Sequence, residues 1–268
     1  MDDHDEIGDS VLLPHLFLTG SDVISIVGSG GKTTLMYILA RELSDKGKRV
    51  ITTTTTKIFP PHPSQSSRLL VSDREDVLLN KTHELLQQEK HLTLAEGFVG
   101  QKLKGVSPTL INRMYEQEIA DAIIVEADGA RQCPLKAPNE TEPVIPSSTT
   151  LTVPVVGLDG IGKPNTEEYV FRPHYFSQLT GIKEGELVSA ESVSRVILHP
   201  EGLRRGTPEK ARVLPILNKG EIEGGLEVGT RVAQCIVDTK DRSIARVLIT
   251  RLIPFPRVLK VFYCGQAV

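Results

Sequence analysis

At 268 residues the chain is long enough to bury a large core, and 39% hydrophobic with 24% charged residues describes an ordinary globular protein rather than a disordered or fibrous one. A net charge of −3 lacks the basic excess of a domain built for phosphate backbones, so nucleic acid is not an expected partner. No run approaches eighteen apolar residues, so no membrane span or membrane partner is expected either.

The opening "MDDHDEIGDS" is acidic and has no apolar export core, and residues 1–20 read as an extension ahead of the first structural unit. "DVISIV" (22–27) is a short apolar run that predicts a strand. A glycine turn follows, then "TLMYILARELSDKGK", in which Leu35, Ile38, Leu39 and Leu43 recur at helical spacing. "KRVITTTTTKIF" (48–59) reads as a second strand because Val, Ile and Thr are β-branched. Prolines 60, 61 and 63 stop it. Ser72 and Glu75 have the spacing of a capping box for a helix running to about Gln88. "HLTLAEGF" is a third strand candidate. Ser107-Pro108 supplies an N-cap and first-turn proline for a helix whose Ile111, Met114, Tyr115 and Ile119 share a face. "DAIIVEADG" is then an apolar strand ending in two acids and a glycine.

Residues 132–150 are proline-rich and polar and read as an irregular loop, the best candidate for an internal boundary. Beyond it come a strand in "TTLTVPVVGLDG", a helix in "AESVSRVIL" and a strand in "ARVLPILNKGE". "LEVGTRVAQCIVD" reads as a helix, and "ARVLITRLI" and "RVLKVFYC" as strands. Alternating strands and helices predict one α/β domain over 1–268 with a mainly parallel central sheet flanked by helices, and the glycine turn between its first strand and helix makes a nucleotide-binding fold of P-loop type the expected one. Ligands of such sheets gather at the carboxyl ends of the strands.

The unusual residues fall at those ends. "VGSGGKTT" places Gly28, Ser29, Gly30, Gly31, Lys32, Thr33 and Thr34 between strand and helix, where converging amides and a helix N-terminus suit a phosphate. The loop is short, with two residues between Gly28 and Gly31 where the common phosphate loop has four. In this reading Lys32 reaches the β- and γ-phosphates of ATP or GTP and Thr33 ligates Mg2+. The bland alternative is a packed glycine turn, but a cation at a helix start opposes the dipole unless an anion is present. Glu126 and Asp128 stand two apart at a strand end and could share a face toward the metal. Lys32, Asp128, Glu126 and Lys136 are therefore the catalytic candidates, and Thr33, Glu126 and Asp128 the magnesium ligands.

In the threonine run Thr52–Thr54 are as readily packed as functional, while Thr55, Thr56 and Lys57 should lie nearest the site. Arg131, Lys136 and the more distant Arg172 are cations for phosphate or a carboxylated substrate, whereas His174 reads as space-filling. Asn218, Lys219 and Glu221 in "ILNKGE" approximate the N-K-x-D guanine motif, with one extra methylene on the carboxylate. The pattern competes evenly with an ordinary polar turn. Cys133, Cys235 and Cys264 are odd in number and far apart, which points to a reducing, cytoplasmic compartment. The seven histidines lack zinc-ligand spacing.

Several ordered blocks carry a resemblance: "VGSGGKTTLMYILARELSDKGKRVITTTTTKI" (27–58), "IIVEADGARQCPLKAPNETEPVIP" (123–146), "VVGLDGIGKP" (155–164), "LTGIKEGE" (179–186) and "HPEGLRRGTPEKARVLPILNK" (199–219). Together they resemble the YqeC-type family of selenium-dependent hydroxylase accessory proteins, also called selenium cofactor biosynthesis proteins. The short loop is also similar to the ATP loop of Mur-type ligases, in which a strand-end glutamate binds magnesium, a role implied for Glu126. The resemblance implies a nucleotide-binding protein that serves the maturation of a selenium-dependent molybdenum hydroxylase, with that enzyme or its maturation proteins as partners. Against the family pattern, Glu221 replaces an aspartate and Phe171 a histidine. The implied activity is that of an NTPase, kinase or ligase. The alternative is a nucleotide-switched delivery protein with little hydrolysis. A Mur-like ligase is a third reading, but it ordinarily needs further substrate-binding domains.

Overall fold

The computed structural model describes residues 11–265, and the acidic segment 1–10 lies outside them. The strands are β1 (Asp22–Gly28), β2 (Val50–Thr54), β3 (Lys57–Ile58), β4 (Leu69–Val71), β5 (His91–Ala95), β6 (Gly97–Val99), β7 (Lys102–Lys104), β8 (Ala122–Glu126), β9 (Leu135–Lys136), β10 (Leu151–Gly157), β11 (Val170–Phe171), β12 (Arg212–Val213), β13 (Ile216–Asn218), β14 (Arg246–Arg251) and β15 (Arg257–Tyr263). The α-helices are α1 (Lys32–Asp45), α2 (Glu75–Leu85), α3 (Pro108–Glu116), α4 (Pro173–Thr180), α5 (Ala190–Leu198) and α6 (Gly225–Val237).

Ten strands form one sheet in the order β15-β14-β13-β10-β1-β8-β2-β5-β4, with β12 also pairing β10. Every pairing in it is parallel except β14 with β15. The chain is thus an α/β protein with a large, mainly parallel sheet flanked by helices, as the alternation of elements predicts.

The apolar runs of β1, β8 and β10 are buried along their whole length because helices cover both faces, which is why they read as continuous rather than alternating. Successive residues still point to opposite sides. From β1, Ile24 and Ile26 pack with Leu35, Met36 and Leu39 of α1. Val23 packs with residues of α2 and α3, including Leu78 and Ile111. Val27 joins a third cluster with Phe176, Val193 and Val232 of α4, α5 and α6.

Several predicted elements come out divided. The run 48–59 ends its sheet pairing at Thr54, and Lys57–Ile58 joins a separate three-stranded sheet, β3-β7-β6. "HLTLAEGF" splits likewise into β5 and β6, and the stretch around Pro215 splits into β12 and β13. The capping box is not formed. α2 has Arg74 at its N-cap without a side-chain cap bond, and it ends at Leu85 rather than Gln88. Glu75 turns instead to Ser107 Oγ (2.7 Å) and Arg113 (3.2 Å), both associated with α3. The Ser107 cap of α3 is present, accepting from Leu110 N at 3.1 Å, though Ile119 lies past the helix end while still buried. α4 has no counterpart in the predicted elements.

Residues 132–150 are irregular apart from β9, but they are packed: Leu135 and Ala137 belong to the third core cluster, and Val144 N donates to Ala127 O at 2.9 Å. Cys133 is buried with a free thiol. No described helix is long and apolar enough to cross a membrane.

Candidate functional site

β1 occupies the middle of the sheet, between β8 and β10, and the glycine loop leaves its carboxyl end to enter α1. Glycine is required there for two reasons. Gly28, Gly30 and Gly31 have φ of 94°, 79° and 141°, which L side chains rarely adopt. A Cβ on Gly28 would also lie 2.3 Å from Val155 O, one on Gly30 2.4 Å from Gly157 N, and one on Gly31 2.6 Å from Asn218 Nδ2. The loop is therefore pressed onto β10 and β13 as well as being open to a ligand.

The loop amides divide accordingly. Gly28 N donates to Asp128 Oδ2 (2.9 Å) and Ser29 N to Val155 O (2.8 Å), so both serve the fold. Ser29 Oγ donates to Cys133 O. At the head of α1 the N-cap Gly31 provides no side-chain cap, and the first i→i−4 bond is Leu35 N to Gly31 O, 2.9 Å. The N–H groups of Lys32, Thr33 and Thr34 thus have no partner within the helix. Gly30, Gly31, Lys32, Thr33 and Thr34 line a cavity of about 970 Å³.

Lys32 folds back rather than out. Its Nζ donates to Gly28 O at 2.7 Å and lies 3.1 Å from Asp128 Oδ1 and 3.6 Å from Glu126 Oε1, with only 4% of the side chain exposed. Burial works against its charge, but the two carboxylates outweigh burial and hold its pKa above the ordinary lysine value. The anion that a helix-start cation requires is therefore already supplied internally. Asp128 also accepts Lys136 Nζ at 2.9 Å, and Lys136 in turn reaches Gly129 O (2.5 Å) and Glu142 (3.1 Å), which meets Arg172 at 3.0 Å. A chain of charges thus runs from buried Lys32, Asp128 and Lys136 to the partly exposed Glu142 and Arg172.

Lys136 is fully buried, not the exposed loop cation that its sequence neighbourhood suggests. Asp128, Lys136 and Arg172 do not line the cavity, whereas Glu126 and Glu142 do. Glu126 and Asp128 do converge on one ammonium, as their spacing implies. Thr33 Oγ1 donates to Glu126 Oε2 at 2.6 Å, placing two hard oxygens side by side at the cavity wall.

Thr52, Thr53 and Thr54 are packed: Thr52 bonds His91 Nε2 (2.9 Å) and Thr93 (2.8 Å), Thr53 donates to Leu94 O, and Thr54 to Glu126 O. Thr55, Thr56, Lys57 and Arg131 line the cavity, although the Thr55 hydroxyl is held by Val144 O at 2.7 Å. His174 is exposed, its ring tilted against that of Tyr175, so it fills no interior space.

Asn218, Lys219 and Glu221 also border the cavity beside the glycine loop. Asn218 is committed to structure: Nδ2 donates to Gly30 O (2.8 Å) and Oδ1 accepts from Leu252 N (3.2 Å). Lys219 pairs with Asp159 at 2.5 Å.

Phe59, Glu96, Lys102, Lys104, Ser107, Glu142, Leu252 and Ile253 also line the cavity, and sequence reasoning had not assigned them to it. For Lys102 and Lys104 a signal existed: "KLK" is a polar-apolar-polar alternation after a glycine turn, the pattern of a strand showing two cations on one face.

These features define a class: an α/β protein with a glycine loop and an uncapped helix start at the carboxyl end of its central strand, beside a strand-end glutamate. The family model described as "YqeC protein" matches residues 24–174. A curated relative, "Uncharacterized protein YqeC" of Escherichia coli (strain K12), is 33% identical over 198 residues, covering 74% of this chain and 75% of its own length. The chain belongs to the YqeC family. No solved structure gives a significant match.

Proposed function

We propose that the chain binds a nucleoside triphosphate, ATP or GTP, with Mg2+ at the glycine loop, and uses it as an NTPase, kinase or ligase in building or inserting the cofactor of a selenium-dependent molybdenum hydroxylase. The supporting observation is the set of helix-start N–H groups at Lys32, Thr33 and Thr34, left without intrahelical partners and facing a large cavity. The selenium part of the reading rests on the family resemblance alone.

The oxygens present fit magnesium. Thr33 Oγ1 and Glu126 Oε2 are two adjacent hard oxygens at the cavity wall, and magnesium characteristically takes one or two protein oxygens and completes its shell with phosphates and water. Thr33 and Glu126 would hold it, and bound there it neutralises phosphate charge. Asp128, tied to Gly28 N, Lys32 and Lys136, positions the loop rather than ligating. Lys32 would exchange its carboxylates for phosphate oxygens, and the loop amides would stabilise charge on the transferring group.

Thermal unfolding with ATP, GTP and their diphosphates, with and without magnesium, tests this directly. Saturating triphosphate near 100 times its dissociation constant adds about 2.7 kcal/mol, a rise of roughly 5–10 °C for a chain of this size. No shift with any nucleotide contradicts the reading. Guanine preference brings Glu221 and Lys219 into base recognition, and adenine preference removes them. Thr33→Ala is a cleaner variant than Lys32→Ala, which strands two buried carboxylates: Thr33→Ala should abolish the magnesium-dependent part of the shift while leaving the free protein folded.

A switch reading has its own support in the charge chain from Lys32 to Arg172, because releasing Lys32 from Asp128 alters what Lys136 and Glu142 balance at the start of α4. A delivery protein of this kind would hydrolyse slowly alone and change partner affinity between di- and triphosphate; rapid turnover with small molecules alone excludes it.

A further inference from the structure

We propose that the end of the cavity formed by the three-stranded sheet β3-β7-β6 and Arg131 is a second subsite, for a small substrate carrying phosphate or carboxylate groups. The inference rests on the nucleotide reading in one respect: the glycine-loop end is taken to be filled by the triphosphate.

Lys57 lies directly opposite Lys104 across the antiparallel pair β3/β7, with Ile58 opposite Leu103. Ile58 and Leu103 are buried in the core cluster under α1, so Lys57, Lys102 and Lys104 take the opposite face, and all three line the cavity. Like charges placed directly across a strand pair repel and destabilise it. Among the described residues only Glu96 relieves them, through Lys104 at 2.5 Å. Among the described residues Lys57 has no ion pair, and Lys102 has only the ring of Phe59, 4.8 Å from its ammonium.

Arg131 is a fourth cation in the cavity lining. Its backbone is held at φ 46°, a conformation unusual for a side chain of this size, and its guanidinium lies 5.2 Å over the Phe171 ring. It has no carboxylate partner among the described residues. Of the carboxylates that line the cavity, Glu126 is held by Lys32 and Glu142 by Lys136 and Arg172, and Glu96 pairs with Lys104, which leaves Lys57, Lys102 and Arg131 as lining cations without a carboxylate partner among the described residues. The field of that wall favours an anion, and confinement in a cleft strengthens it. The cavity lies at the upper end of the range of about 300–1,000 Å³ for small-molecule sites, which leaves room beside a nucleotide.

The test uses the full chain saturated with magnesium and a non-hydrolysable triphosphate, so that the glycine loop is occupied. Inorganic phosphate and succinate are then titrated separately by calorimetry, the two arms distinguishing a phosphorylated from a carboxylated substrate. The compared variant carries Lys102→Gln, Lys104→Gln and Arg131→Gln, all at the surface of the cleft; Arg131→Gln alone serves should the triple variant melt early. The expected result is that at least one anion binds, that the variant weakens it by about ten-fold or more, and that rising salt weakens it in the wild type, with triphosphate affinity kept within about two-fold. Absence of anion binding, or equal binding by the variant, overturns the subsite. So does a parallel loss of triphosphate affinity, which would assign these cations to the nucleotide. If no triphosphate binds, the anions are titrated into the free protein; a loss confined to the variant upholds the subsite while the nucleotide reading fails.

Discussion

Asp128 is the residue on which the loop's electrostatics converge. One carboxylate satisfies the Gly28 amide and two buried ammonium groups, so its removal leaves Lys32 and Lys136 with fewer counter-charges in a dry environment. Breaking such a buried pair costs about 3–5 kcal/mol. Asp128→Ala is expected to lose about that much in urea unfolding. Gly30→Ala meets both backbone strain and Gly157 N, and should cost roughly 2 kcal/mol or more by the same measurement. The sequence made the glycine loop, Glu126 and Asp128 legible because their types and positions are unusual. It could not tell that Lys136 is buried or that Asn218 props up Gly30, since both depend on a long loop and on β13 returning to the same strand ends.

At the scale of elements, α3 shows how far local signals reach. Ser107 caps it as its sequence predicts, and it also gathers Glu75, which the capping-box spacing had assigned to α2. A tertiary partner overrode a local pattern. Ser107→Ala should therefore cost about 1–2 kcal/mol, from the lost cap and the lost link to α2, measurable by chemical denaturation. β2 and β5 meet through His91, whose Nε2 touches Thr52 and whose pKa burial pushes down to about 4. The unfolded chain takes up this proton near pH 6.5 and the folded one only near 4, so stability is full above 6.5 and falls as pH drops through that window. The loss approaches about 3 kcal/mol by pH 4, and His91→Gln should remove that part of the acid slope in unfolding measured across the pH range. The break after Thr54 was illegible because β-branched threonines continue across it, whereas the break at Pro215 has a sequence signal, since proline has no N–H to give a ladder.

For the whole molecule, alternating strand and helix signals were enough to give a parallel sheet with helices on both faces, while strand order and the extra three-stranded sheet were not, because pairing partners lie far apart in the chain. The family match spans residues 24–174, yet β10 completes its pairing with β13, and Val27 and Val156 are covered by α5 and α6. A fragment ending at 174 leaves that sheet edge and cluster open, and should fail to unfold cooperatively in calorimetry where the full chain does. Backbone amide resonances of Gly30 through Thr34, followed by NMR as magnesium and triphosphate are added, should shift strongly, with their hydrogen exchange slowed. Unchanged amides at those five positions, whether nucleotide binds elsewhere or not at all, contradict the account.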